Sequence, residues 1–259
     1  NLCELLKSRN DSYTVIDRDT KDNPLVIPQD IVTAGVPSIN GDVLVHLASE
    51  TNVRDSIDHP RRYILNNVTG LLNALDTARK DGIREIIFTS SASAKLVESP
   101  YLASKSACED ICLAYKNSFD CYCKILRLSS VYGPHSIHKQ SVVHKFIKSS
   151  LRHEPLVIYG DGKQMRDFIY VKDVANAIAD LKAGFISTGN LTSINMVAYL
   201  VSELSEVITG YKPRIKHINA IPGEVRCPIP RSELDYTTPF EEGLFNTFHW
   251  YKENYYGRQ

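Results

Sequence analysis

Ile86-Ile87-Phe88-Thr89-Ser90-Ser91 is an apolar run closed by hydroxyl residues, and ten residues further on stands Tyr101-Leu102-Ala103-Ser104-Lys105. The first stretch reads as a buried strand from Ile83 to Ser90. The second opens a helix from Tyr101 to Asn117. A tyrosine and a lysine four apart share one helix face. An ammonium placed there can lower the phenol pKa towards neutrality, while a serine at the strand end hydrogen-bonds the same substrate oxygen. Such a set can take a proton from a hydroxyl as hydride leaves its carbon. Tyr-x-x-x-Lys alone is a weak signal; behind this strand it is a strong one.

Outward from this pair, strands and helices alternate. Leu2–Ser8 reads as the end of an amphipathic helix, broken by Asn10 and Asp11 before the strand Tyr13–Asp17. Val43–Ala48 is a continuous apolar run, expected of a strand covered on both faces of a parallel sheet. A long helix spans about His59–Lys80, with Ile64, Val68, Leu71, Leu72 and Leu75 on one side, and Gly82 ends it. Lys124–Leu128 is the next strand. The expected fold class is α/β, a doubly wound parallel sheet of Rossmann type. Residues 1–134 form its dinucleotide-binding domain. Residues 135–259, with helices near Val142–Leu151 and Ser193–Ile208, form mainly a smaller substrate lobe, and some of its segments return to the sheet.

Composition narrows the classes. In 259 residues, Lys+Arg and Asp+Glu both number 30, which argues against non-specific binding to nucleic acid or membrane. No apolar run is long enough to span a bilayer, and the polar start is not a signal peptide. The six cysteines, Cys3, Cys108, Cys112, Cys121, Cys123 and Cys227, lack the density of a disulfide scaffold. They read as reduced, mostly buried thiols of a cytoplasmic protein, and no metal site is expected. His46 reads as a packed core residue, and His135, His138, His144 and His153 show no metal-ligand spacing. The sequons at Asn10, Asn67 and Asn190 carry no weight without a secretory signal.

Further candidates have two readings each. Asp17, at a strand end, is either a ribose-binding carboxylate or a turn former. Asn67, inside an apolar helix, contacts a cofactor or neighbouring loop, or is a satisfied core amide. Gly160-Asp161-Gly162 makes a tight turn before Arg166, and Arg226 follows Pro222-Gly223-Glu224-Val225. Either arginine can pair with a phosphate or serve in a structural ion pair.

Taken in order, His46-Leu-Ala-Ser49, Asn66-Asn-Val-Thr-Gly70, Phe88-Thr-Ser-Ser-Ala92, Tyr101-Leu-Ala-Ser-Lys105, Arg127-Leu-Ser-Ser-Val-Tyr-Gly-Pro134, Tyr159-Gly-Asp-Gly162, Arg166-Asp-Phe-Ile-Tyr-Val171 and Pro222-Gly-Glu-Val-Arg226 resemble the extended short-chain dehydrogenase/reductase family. The likeness is to its nucleotide-sugar epimerases of the UDP-glucose 4-epimerase type. It implies NAD as cofactor and a UDP-sugar as substrate. Tyr101 would be the general base, Lys105 would bind the nicotinamide ribose, and Ser91 would bond the sugar hydroxyl. Asp17 would bind the adenosine ribose, Asp30 and Ile31 the adenine, and Leu47, Ala48 and Asn67 further parts of NAD. Arg166 and Arg226 would hold the nucleotide diphosphate, with Ser130 at a sugar-contacting position that usually carries asparagine. Tyr170 belongs to the same motif. A homodimer through a four-helix interface is also implied.

The resemblance has gaps. The glycine-rich loop and first strand are not found ahead of Asn1, and the stretch from Ser91 to Tyr101 is short, with Ala94-Lys95-Leu96 in place of a usual Val-Tyr-Gly. These gaps imply ordered segments of a longer chain joined in number, with breaks between Ser91 and Pro100 and after Pro134. A 4,6-dehydratase would carry Asp-Glu after Thr89, and a decarboxylase would carry a nearby Glu. Both are less well matched, and a sugar-nucleotide-binding protein without catalysis is the alternative of another class.

Overall fold

The computed structural model describes residues 1–19, 26–137, 139–220 and 231–256. In chain order the first half holds α1 (Leu2–Ser8), β1 (Val15–Asp17), β2 (Val26–Pro28), β3 (Val43–His46), α2 (Val53–Asp58), α3 (Pro60–Ile64), α4 (Gly70–Lys80), β4 (Glu85–Ser91), α5 (Pro100–Phe119) and β5 (Tyr122–Leu128). There follow β6 (Ser130–Tyr132), α6 (Val142–Leu151), β7 (Leu156–Tyr159), β8 (Met165–Arg166), β9 (Phe168–Tyr170) and α7 (Val171–Ala179). The chain closes with β10 (Gly184–Ile186), β11 (Thr192–Ser193), α8 (Ile194–Thr209), β12 (Ile215–Ile218) and α9 (Phe240–Tyr251).

Two compact units result. One comprises Leu2–Leu128 and Ala177–Phe185, the other Asn1, Ser129–Asn176 and Ile186–Gln259. In the first, β10-β5-β4-β3 form one sheet, whose β3–β4 and β4–β5 pairs are parallel, and β1 pairs in parallel with β2 separately. As a central strand covered on both sides, β4 is buried from Ile86 to Ser90. Leu71, Leu75 and Ala78 of α4 pack with Ile83, Ile86 and Phe88 and with Cys108, Cys112 and Cys121, whose thiols behave as small apolar groups. Among the described residues no helix is long and apolar enough to cross a membrane.

The helix expected as one piece over His59–Lys80 differs in its middle. It starts at Pro60, and Leu65–Thr69 forms a π-helical turn between α3 and α4. The cause is visible at Asn67, whose side chain is drawn inwards to two partners outside the helix. Between Ser91 and Pro100 the chain makes a short turn. Leu96 N–H bonds Ser93 O at 3.0 Å and Val97 N–H bonds Ala94 O at 3.4 Å, making a short 3₁₀ turn over Ala94–Leu96. After Pro134, Lys139 N–H reaches Ser136 O at 2.9 Å; His138 lies outside the described residues.

In the second unit, α6, α8 and α9 enclose an apolar core of Val143, Ile147, Val197, Val201, Leu244 and Phe248 around the short strands. An aromatic group of Tyr132, Phe168, Tyr170 and Phe240 joins β6, β9 and α9. Gly133 has φ +146°, and a Cβ there would strike the Val171 side chain, so only glycine allows this approach.

Candidate active site

Three elements of the first unit build the site. Strand β4 carries Ser91 at its carboxyl end, where Ala92 N–H extends the pairing to Leu128 O at 2.8 Å. Helix α5 is started by Ser99, whose hydroxyl accepts from Leu102 N–H at 3.2 Å, with Pro100 in the first turn. That start puts Tyr101 in the first turn and Lys105 one turn later, on the same face. The Ser91 hydroxyl lies near enough to the Tyr101 phenol to favour its charged form. The ring of Tyr63, from α3, meets that of Tyr101 edge-on at 6.5 Å.

Burial controls the electrostatics. Tyr101 is pushed up to about 12, mainly by desolvation, with the nearby Ser91 hydroxyl acting downwards and Tyr63 upwards. Lys105 is 3% exposed, and desolvation pulls it down to about 8. Its Nζ donates to Thr89 O at 2.8 Å and lies 4.9 Å from the centroid of the Phe88 ring. The expectation that the ammonium draws the phenol towards neutrality is therefore not met here. Lys105 is engaged by the strand, and loss of water outweighs the Ser91 hydroxyl. His46 is buried at the end of β3 and held near 3 by desolvation and the Lys105 charge, as a neutral core histidine stacked 6.0 Å from Phe88.

Asn67 bridges two elements. Its Oδ1 accepts from Glu50 N–H at 2.8 Å, and its Nδ2 donates to Glu50 O at 3.0 Å and Ser104 Oγ at 2.8 Å. It fixes the loop after β3 against α5. Leu47 and Ala48 stand exposed in that loop. Asp17 is exposed at the end of β1, and its Oδ1 accepts from Asp19 N–H at 3.0 Å, so it also forms the turn. Asp30 does likewise for Val32 N–H at 2.8 Å, and Ile31, half-buried, packs against Gly70. Ser130 and Arg166 belong to the other unit. Ser130 N–H bonds Asp167 O at 2.9 Å, and Arg166 Nη1 donates to Met165 O at 2.8 Å. Arg226 lies outside the described residues, as does the rest of Pro222–Arg226.

Asn67 is thus a satisfied buried amide, and an ammonium with exposed strand ends is what suits a dinucleotide. Lys105 Nζ has three donor hydrogens, and among the described residues it bonds one carbonyl, leaving donors for ribose hydroxyls. No group of His, Cys, Asp and Glu able to hold a metal occurs among the described residues.

One residue outside the sequence reading, Glu109, lies beside these. Glu109 is 3% exposed and receives Ser90 Oγ at 2.6 Å and Arg127 Nε and Nη2 at 3.0 and 2.8 Å. Spacing offered a signal: Glu109 follows Lys105 by four, on the face that α5 buries.

The family model described as the NAD dependent epimerase/dehydratase family matches residues 1–181. A UDP-glucuronate 4-epimerase of Thermodesulfobacterium geofontis is 30% identical over 239 residues, covering 82% of this chain and 72% of that protein. An uncharacterized UDP-glucose epimerase of Bacillus subtilis is 31% identical over 258 residues, covering 89% and 81%. A solved UDP-N-acetylglucosamine 4-epimerase from Methanobrevibacter ruminantium, in complex with UDP-N-acetylmuramic acid, superposes with a TM-score of 0.85 at 26% identity, covering 97% of this chain and 94% of that one.

Proposed function

Because the chain belongs to the NAD-dependent epimerase/dehydratase family, we propose that it epimerises a UDP-hexose at C4 through a transient 4-keto sugar. The observation that carries this reading is the placing of Ser91 at the carboxyl end of β4 beside the first turn of α5, where Tyr101 stands with Lys105 buried one helical turn on. Tyr101, once ionised, takes the proton of the 4-hydroxyl and later returns it, and the positive charge of a bound oxidised cofactor would have to draw the phenol down from the raised value that burial gives it. Ser91 holds the same oxygen, and its hydroxyl beside the phenol favours the charged form. Bound NAD supplies the hydride acceptor and donor. Asp17, Asp30, Ile31, Leu47, Ala48 and Asn67 would hold it along the strand ends, with Tyr101 and Lys105 at the ribose next to the reacting ring. Ser130, Arg166 and Arg226 are assigned to the nucleotide sugar, the two arginines to its diphosphate. Ser90 and Ser91 follow Thr89 with no carboxylate, which supports epimerisation over dehydration.

Tyr101→Phe is expected to lower turnover by roughly two to four orders of magnitude while leaving the thermal midpoint nearly unchanged. Incubation with UDP-glucose, UDP-glucuronate and UDP-N-acetylglucosamine, followed by separation of the 4-epimers, reads this directly. Near wild-type turnover in Tyr101→Phe would overturn the assignment of the base.

The same reading includes a cytoplasmic homodimer. Ile64 and Leu65, at the α3–π junction, and Leu113 on α5 are 38%, 47% and 56% exposed. Covering them with the same helices of a second copy gives a four-helix interface, which should bury at least ~1,000 Å² in total. Light scattering at micromolar concentration should return twice the monomer mass, and a monomer there contradicts the assembly.

A further inference from the structure

The hydroxyl of Ser90 turns away from the reacting edge and into the body of the unit, where Glu109 Oε1 receives it at 2.6 Å. The same carboxylate takes two bonds from the Arg127 guanidinium, on the neighbouring strand β5. Lys95, in the short turn that follows Ser91, approaches Glu109 Oε2 at 3.5 Å and donates to Asp110 at 2.9 Å and Ser106 at 3.2 Å. One carboxylate on α5 therefore reaches the end of β4, the end of β5 and the turn between β4 and α5. Each of these segments flanks Ser91. Ser90 precedes it, Lys95 follows it by four, and Arg127 is the ladder partner of Ser90 in the β4–β5 pair.

We propose that Glu109 is a positioning residue, one that clamps these three segments to α5 and so sets the Ser91 hydroxyl against the Tyr101 phenol. It touches no substrate. The inference rests on the acid–base role given above to Tyr101, and it explains how a serine at a strand terminus, next to a connection of only eight residues, keeps a fixed place. The Arg127 pair gives the carboxylate its counter-charge, which a buried anion requires. The Ser90 bond converts that anchored oxygen into a constraint on the neighbouring backbone. A displacement of about 1 Å at a reacting group can cost on the order of a hundredfold in rate, so a clamp one residue from Ser91 acts on turnover.

Ser90→Ala is the decisive variant, because it cuts the clamp at the serine and leaves the Glu109–Arg127 pair intact. Glu109→Ala would strand a guanidinium and can unfold the chain; Glu109→Gln serves as the second variant. Two readouts are taken on the full chain. In the first, kcat and KM are measured with the best UDP-sugar. Ser90→Ala is expected to lower kcat about ten- to a hundredfold with KM within about twofold, and to add little to Ser91→Ala in the double variant. In the second, the ring-¹³C resonance of Tyr101, identified by its loss in Tyr101→Phe, should move in Ser90→Ala in the same direction as in Ser91→Ala. An unmoved Tyr101 resonance together with unchanged kcat overturns the clamp, as does full additivity with Ser91→Ala. A moved resonance in a chain that turns over no UDP-sugar supports the clamp and defeats the proposed reaction instead.

Discussion

Each unit buries one carboxylate beneath a strand end, and the two are satisfied in opposite ways. Glu109, in the first unit, depends on a cation, the Arg127 guanidinium, supplied by another strand. Asp167, in the second, is 3% exposed and accepts four bonds from neutral donors: Ser129 Oγ at 3.0 Å, Thr188 N–H and Oγ1 at 2.9 and 3.0 Å, and Gly189 N–H at 2.9 Å. Asp167 is a staple, since its donors come from the two segments that it joins and none carries a charge to be stranded. Glu109 is half of a charged pair with Lys95 as a more distant second cation, so loss of Arg127 leaves a buried carboxylate short of counter-charge. The first arrangement tolerates single changes poorly and the second loses only the bonds removed.

The sharpest break of this contrast is Arg127→Met, expected to cost about 3 kcal/mol because buried Glu109 loses both guanidinium bonds and keeps only the more distant Lys95 ammonium. The double variant Arg127→Met/Glu109→Gln should recover much of that loss. Urea midpoints at unchanged slope check both, and a double variant no better than the single one would remove the charge from the explanation. Asp167→Asn comes next, at about 2–3 kcal/mol. The amide keeps the shape but turns an NH₂ towards donor N–H groups. A cost above that of Arg127→Met would invert the comparison.

His46 gives the smallest effect and the one tuned by pH. Its folded pKa is depressed from 6.5 to about 3, so its stabilising contribution is present above about 6.5 and is lost as pH falls towards 3. Between pH 6.5 and pH 5 this amounts to roughly 2 kcal/mol at 1.36 kcal/mol per unit. Thermal midpoints should drop across that window and drop less in His46→Phe, which keeps an aromatic ring against Phe88. Equal slopes in both chains would place the acid sensitivity elsewhere.

Local spacing made the core of the candidate site legible. Ser91, Tyr101 and Lys105 lie within fifteen residues, and a strand end plus an i, i+4 pair brings them together without knowledge of the rest. Helices with clean periodicity were equally open to reading, as at Leu2–Ser8 and Val142–Leu151, whose ends match the structure. What escaped depends on tertiary partners. Glu109 and Arg127 are 18 residues apart on a helix and a strand, and no pattern in either segment names the other. The phenol pKa was misjudged for the same reason, because spacing supplies the charge of Lys105 but not the water lost around Tyr101. The π turn at Leu65–Thr69 was hidden by Ile64, Val68, Leu71 and Leu75, which keep an unbroken apolar rhythm through it.

That turn has a consequence for how the chain tolerates changes of length. A residue deleted anywhere else between Pro60 and Lys80 would rotate everything beyond it by about 100°, swinging Leu71 and Leu75 away from the strands they cover. Within Leu65–Thr69 one backbone unit is surplus to the α-helical repeat. A single deletion there lets the turn tighten while α3 and α4 keep their phase. The segment is thus the helix's one slack link, and Asn67 is the side chain that takes up the slack.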